Sequence, residues 1–318
     1  MNFKNAGSWF KKAFGVLKAS FTAFMNDKAL KMSASLAYYT IFAMAPLIMI
    51  LISLASIFYG EKAIQNQVFE EINGLVGNEA ALQIQEIIKN ITLNQNSTFA
   101  IVIGFFTLFI GATGVFIEIQ DSINTIWRVK AKPKKGWKKM LVNRFLSFSM
   151  IISLGFLLIV SLIINGLILA FSSKLSEYFP DITIFLVGII NFAITFMVIS
   201  ALFAIIFKYL PDVKISWKDV RVGAMFTALL FAIGRLLIGF YIEKVAPGSA
   251  YGAAGSLIVI LVWVYYTSAI LYFGAEFTQV YAQCYGGHIE PAEYAVHLVT
   301  IEEEHEVNVL PNQEHKMD

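Results

Sequence analysis

Residues 257–282, LIVILVWVYYTSAILYFGAEFTQVYA, carry one charged side chain, Glu276, in 26 positions. An apolar run of this length spans about 30 Å of hydrocarbon as a helix. Five more runs share its character: 35–59, 98–120, 145–172, 182–207 and 222–242. The chain of 318 residues is 58% hydrophobic and 14% charged, with mean hydropathy +0.68, outside the range of soluble domains. These features predict an all-α polytopic membrane protein with six transmembrane helices. The first run starts too far from Met1, and is too long, to read as a cleaved signal peptide.

Lys and Arg set the expected orientation, because they are retained on the cytoplasmic side during insertion. Alternate inter-span segments carry 19 and 4 of them, with Arg235 left inside a span. Both termini are therefore expected in the cytoplasm. The single cysteine, Cys284, excludes an intrachain disulfide.

Outside the spans, four segments have distinct characters. In 1–34, Phe10, Phe14, Leu17, Phe21 and Phe24 recur at helical spacing, with Lys11, Lys12 and Lys18 largely off that stripe. This predicts an amphipathic helix in the cytoplasmic headgroup layer, held by apolar burial and anionic lipid. Residues 60–97 read as two short amphipathic helices capping the bundle from outside. The segment from 286 to 318 is acidic and holds all four histidines, and it reads as a disordered or loosely attached tail. The loop 121–144 has eight positive charges and two tryptophans. Beside a membrane this composition signals cytoplasmic retention and contact with anionic headgroups rather than nucleic-acid binding.

Polar groups within apolar spans are the candidates for function, since hydrocarbon penalises them unless they face a cavity, water or a partner. Arg235, Asn191 and Asn165 come out at similar depths, toward the outer side, on a rise of about 1.5 Å per residue. No carboxylate in the spans matches that depth, which suggests amide oxygens, open carbonyls or an anionic ligand as the counterpart; a structural tie between helices is the alternative. Glu118 and Glu276 form a second group near the cytoplasmic boundary. They suit proton or cation binding if they share a cavity, and a salt bridge to the basic loop otherwise. Pro46 breaks the first span and should free the Phe42 carbonyl. Residues 246–256, APGSAYGAAGS, lead into the last span almost wholly in small residues, so the backbone at Tyr251, Gly252 and Gly255 can enter the bundle close to Arg235. An interrupted segment in each half is a feature of transporter binding sites. A plain linker is the other reading of 246–256.

Four blocks, ASLAYYTIFAMAPL (34–47), GATGVFIEIQDSINTIW, YLPDVKISWKDVRVGAMFTALLF and YGAAGSLIVILVWVYYTSAILYFGAEF, occur in order across about residues 20–285. In them the chain resembles the YihY/BrkB family of bacterial inner-membrane proteins, long mislabelled as ribonuclease BN. The resemblance implies six spans with both termini inside and a role in transport or export; one branch of the family was named for serum resistance. A nuclease does not fit, because metal-assisted phosphodiester cleavage needs clustered ligands and every His lies in the tail. No catalytic residues, metal site or cofactor are expected. Without a nucleotide-binding P-loop, transport of a small anionic or amphipathic solute would be gradient-driven or passive. The competing expectation is a non-transporting scaffold that organises lipids or the envelope.

Overall fold

A computed structural model describes residues 3–43, 82, 113–132, 180–245, 255–287 and 289–299. Helix α1 spans Phe3–Asn26 and α2 runs over 29–43; α3 covers 113–126 and leads into strand β1, Val129–Ala131. Helix α4, Pro180–Tyr209, is followed by β2, Val213–Lys214, and α5, Trp217–Val245. Helix α6 is Gly255–Tyr285, followed by β3, Glu290–Pro291, and β4, Ala295–His297. Pro46, Asn165, Tyr251, Gly252, the outer segment 60–97 apart from Leu82, and the 145–172 span lie outside the described residues.

Three of the described helices contain stretches long and apolar enough to cross a membrane: Leu186–Tyr209, Trp217–Val245 and Leu257–Tyr285. They pack in sequence, α4 on α5 and α5 on α6, and α1 packs on α6. Their outward faces remain greasy. Met225, Leu229, Ile233, Leu236, Leu237 and Phe240 of α5 are exposed, an apolar stripe of the kind that meets hydrocarbon or another packed element rather than water. Five buried hydroxyls are satisfied inside their own helices: Ser20, Ser33, Thr227, Ser268 and Thr278 each donate to the carbonyl four residues earlier, at 2.7–2.8 Å. Where no water can take a bond, this keeps polar side chains compatible with a spanning helix.

The α5–α6 seam is built from glycines. A Cβ on Gly223 would stand 1.9 Å from Thr278 Oγ1, and one on Gly274 would stand 2.0 Å from Thr227 Oγ1. Each helix thus offers a glycine to the other's threonine, and the backbones approach as small-residue packing in membranes allows.

At one end, where α3, α4 and α6 finish and α2 and α5 begin, the chain ties itself together. Asp27 and Lys28 make the turn between α1 and α2, and Trp127 and Arg128 make the turn out of α3. Lys28 and Arg128 both adopt the left-handed conformation, with φ of 55° and 56°, as helix-ending residues do. Strand β2 pairs with β3, and β1 pairs with β4, both antiparallel. The tail is therefore not loose where described: residues 289–299 are docked against the α4–α5 turn and the segment that follows α3. Further bonds hold it there, from the Ala292 amide to the Asp212 carbonyl (2.9 Å) and from the Leu298 amide to the Arg128 carbonyl (2.7 Å).

The α1 stripe is split rather than turned to one surface. Val16, Ser20 and Phe24 are buried, with the Phe24 ring edge-on to Phe273 of α6 at 5.6 Å, while Phe14, Leu17, Phe21 and Met25 point outward. Helix α1 is thus a packed part of the bundle that also presents an apolar outer face. The helix of the first span starts at 29, before the apolar run itself, and α3 extends to 126 into the segment expected as loop.

Candidate functional site

Counting residues along the helices places Asn191 as far before Tyr209 as Arg235 lies after Trp217. Since α4 ends and α5 begins at the same end of the bundle, both stand about 27 Å from it on a rise of 1.5 Å per residue. They meet there. Arg235 and Asn191 line one cavity of about 520 Å³ between α4 and α5, together with Thr195, Phe196, Phe231 and Ala232. The walls are apolar and aromatic, with a guanidinium and an amide among them, the usual make-up of a small-ligand site. Asn191 Oδ1 is buried with no hydrogen-bond partner among the described residues. Gly255, the third sequence candidate within the described residues at this end, is buried at the first position of α6.

Of the two carboxylates expected to form a second group, Glu276 lies on α6 and Glu118 on α3 beside it. Glu118 of α3 is half-buried and acts across the interface on the Tyr272 hydroxyl, beside Ser122. Glu276, one helical turn after Tyr272, is completely buried. Its neighbours were not legible in sequence: among the described residues, the charged groups acting on it are Asp27 and Arg128. Those two form an ion pair of 2.5 Å, with the Asp27 side chain 5% exposed. The Trp127 indole N–H donates to the Ala275 carbonyl at 3.0 Å, which holds the end of α3 against α6 next to Glu276.

A third polar centre joins distant segments. Asp212, in the turn after α4, is 3% exposed. Its carboxylate accepts from Asn124 Nδ2 at 2.9 Å and Gln120 Nε2 at 3.2 Å, and its own amide donates to Asn124 Oδ1 at 2.8 Å. The reciprocal pair with Asn124 fixes which way that amide points. The Tyr294 hydroxyl of the tail also donates to Asp212; burial, reinforced by this carboxylate, pushes the phenol up to about 12. Nearby, Ser216 caps α5: its hydroxyl donates to Asp219 Oδ2 at 2.8 Å and accepts from the Asp219 amide at 3.2 Å. A Cβ on Gly286 would fall 2.1 Å from Asp219 Oδ1, so only glycine lets α6 end there.

Apolar helices of spanning length, hydroxyls bonded within them and a guanidinium and an amide meeting in a cavity between two such helices define an α-helical integral membrane protein. The family model described as virulence factor BrkB matches residues 20–296, and the chain belongs to that family. It is 29% identical over 281 residues to a UPF0761 membrane protein of Pseudomonas paraeruginosa, covering 82% of this chain and 62% of that one. Against the UPF0761 membrane protein of Pseudoalteromonas atlantica it is 26% identical over 275 residues, covering 86% and 88%. The chain thus spans about three-fifths of the length of the Pseudomonas relatives. No solved structure matches it. The family blocks meet in space: Gln120, Asn124 and Trp127 of the second touch Asp212 of the third and Ala275 of the fourth. Tyr39 of the first lies where a Cβ on Gly114 of the second would come within 3.2 Å.

Proposed function

We propose that this chain is a transporter or exporter of a small anionic or amphipathic solute across the bacterial inner membrane, gradient-driven or passive. The observation that carries the reading is the cavity of about 520 Å³ in which Arg235 and Asn191 stand between two spanning helices. A guanidinium at this depth costs free energy that a folded membrane protein retains where the charge does work, and its fork of donors matches carboxylate, sulfate or phosphate. The aromatic and aliphatic walls add affinity for a solute with an apolar body. In this reading the chain crosses the membrane six times with both termini in the cytoplasm. The basic segment after α3 rests on anionic headgroups, and neither catalysis nor nucleic-acid binding is part of its role.

The test is flux into proteoliposomes. Purified protein is screened by thermal shift against inorganic anions, carboxylates and alkyl sulfates, and uptake of those that stabilise it is followed. Arg235→Gln and Arg235→Leu should fold and lose that uptake at least tenfold. Unchanged uptake in a folded Arg235→Leu variant, or stabilisation by none of the anions, overturns the reading and favours a non-transporting scaffold.

A further inference from the structure

The other buried charge cluster, at Glu276, has an imbalance that the cavity reading does not use. Asp27 and Arg128 neutralise one another at 2.5 Å. Glu276 adds a second carboxylate to the same place, fully buried, and neither of its oxygens has a hydrogen-bond partner among the described residues. Ionised carboxylates offer only acceptors, so Asp27 and Glu276 cannot bond to each other while both are charged. One added proton changes this. It supplies the O–H that Glu276 lacks, gives Asp27 a second donor, and brings the group of three to zero net charge.

The surroundings leave few other ways to balance it. Asp27 comes from the α1–α2 turn and Arg128 from the turn after α3, and among the described residues these are the charged groups acting on Glu276. Helix α5 presents Gly223 and Thr227 to the Thr278 and Gly274 faces flanking Glu276, and neither ionises. On α6 the nearest titratable side chain is Tyr272, one turn away, which Glu118 and Ser122 address from α3. A metal cation is a poor substitute beside a guanidinium, whose charge repels it, and with only two carboxylates to bind it.

We infer that Glu276 and Asp27 form a proton-binding site in which one proton is shared between the two buried carboxyl groups. The site sits where the α1–α2 turn meets the turn out of α3, so gain or loss of the proton alters how α1, α3 and α6 are held together. The inference stands whether or not the Arg235 cavity conducts a solute, because it rests on different residues.

Infrared difference spectroscopy on the full chain in detergent or lipid tests it. At neutral pH the wild type should show the C=O stretch of a protonated carboxylic acid, shifted in D2O. That band should be absent from Glu276→Gln and displaced in Asp27→Asn. Glu276→Gln, which keeps a donor toward Asp27, should retain the wild-type Tm at neutral pH, whereas Glu276→Ala should lose Tm. No such band in wild type overturns the inference even if the variants fail to fold. So does loss of the band on adding sodium, which would identify a cation site instead. If Arg235→Leu abolishes uptake and leaves this band intact, the two sites are separate, and the absence of uptake in wild type has no bearing on the band.

Discussion

Thr227 and Gly274 are in direct contact across the α5–α6 seam, so close that a Cβ on Gly274 would lie 2.0 Å from the threonine hydroxyl oxygen. That hydroxyl cannot swing aside without cost, because it donates to the Gly223 carbonyl at 2.7 Å. Gly223 in turn faces Thr278, which donates to Gly274. The four residues form a reciprocal lock, and overpacking it forces the helices apart. Gly274→Ala and Gly223→Ala should each destabilise the protein by about 1–3 kcal/mol. Thr227→Ala, which opens room opposite Gly274, should restore much of the loss in the Gly274→Ala background. Thermal unfolding of the detergent-solubilised variants measures this, and additive losses in the double variant would show that the two positions do not share one contact.

Asp212 gathers Asn124, Gln120 and the tail at the opposite extreme of polarity. Removing its carboxylate takes the acceptor from the buried Asn124 amide, a loss of about 1–3 kcal/mol, and one acceptor from the half-buried Gln120 amide. Asp212→Ala should therefore lower the Tm more than Asn124→Ala, and it should also loosen residues 289–299, whose β3 strand pairs with β2 next to it. Limited proteolysis reads the second effect. Cleavage between 288 and 299 should appear in Asp212→Ala and not in Gly188 or Arg235 variants, which lie at the other side of the bundle.

Tyr294 makes the same junction sensitive to alkali. Burial first, and then the Asp212 carboxylate, raise its phenol from the ordinary 10.0 to about 12. The folded chain thus keeps the proton longer than the unfolded one. The stabilising contribution is complete below pH 10, the unfolded value, and is lost as pH rises through about 12. Stability measured across that window should fall less steeply in Tyr294→Phe than in wild type. An identical slope in the two proteins would remove Tyr294 from the alkaline response.

The contrast between what could and could not be read from sequence has a physical basis. Arg235 and Asn191 could be set at one level because helix rise is constant, and depth follows from counting. Which face of α1 packs inward could not be read so easily, because lipid is as apolar as a protein core and hydrophobic periodicity no longer separates inside from outside. The stripe of Phe14, Leu17 and Phe21 points outward, while Ser20, completely buried, marks the packed face. Small residues would have been the better guide there, as Gly223 and Gly274 are for α5 and α6. The Asp27–Arg128 and Asn124–Asp212 pairs join residues 101 and 88 positions apart, and no local pattern encodes such distances. Strands β3 and β4 are two and three residues long, too short for alternation to show, so the docking of the tail depends on its partners alone.

Gly188 offers a way to close the Arg235 cavity without touching Arg235. It lines that cavity, and a Cβ built on it would meet nothing within 4 Å, so a side chain there grows into open space and not into packed neighbours. A glycine inside a helix also costs about 1 kcal/mol relative to alanine, so Gly188→Ala should be neutral or mildly stabilising. Gly188→Leu and Gly188→Phe then place three and more carbons beyond Cβ beside Asn191 and Arg235. They should fold with a Tm close to wild type, yet reduce both anion-induced stabilisation and uptake, with Phe stronger than Leu and Ala nearly silent. This graded order separates occlusion from damage. If all three variants take up solute like the wild type, the path does not run between α4 and α5; if Ala alone abolishes uptake, the glycine serves the helix and not the cavity.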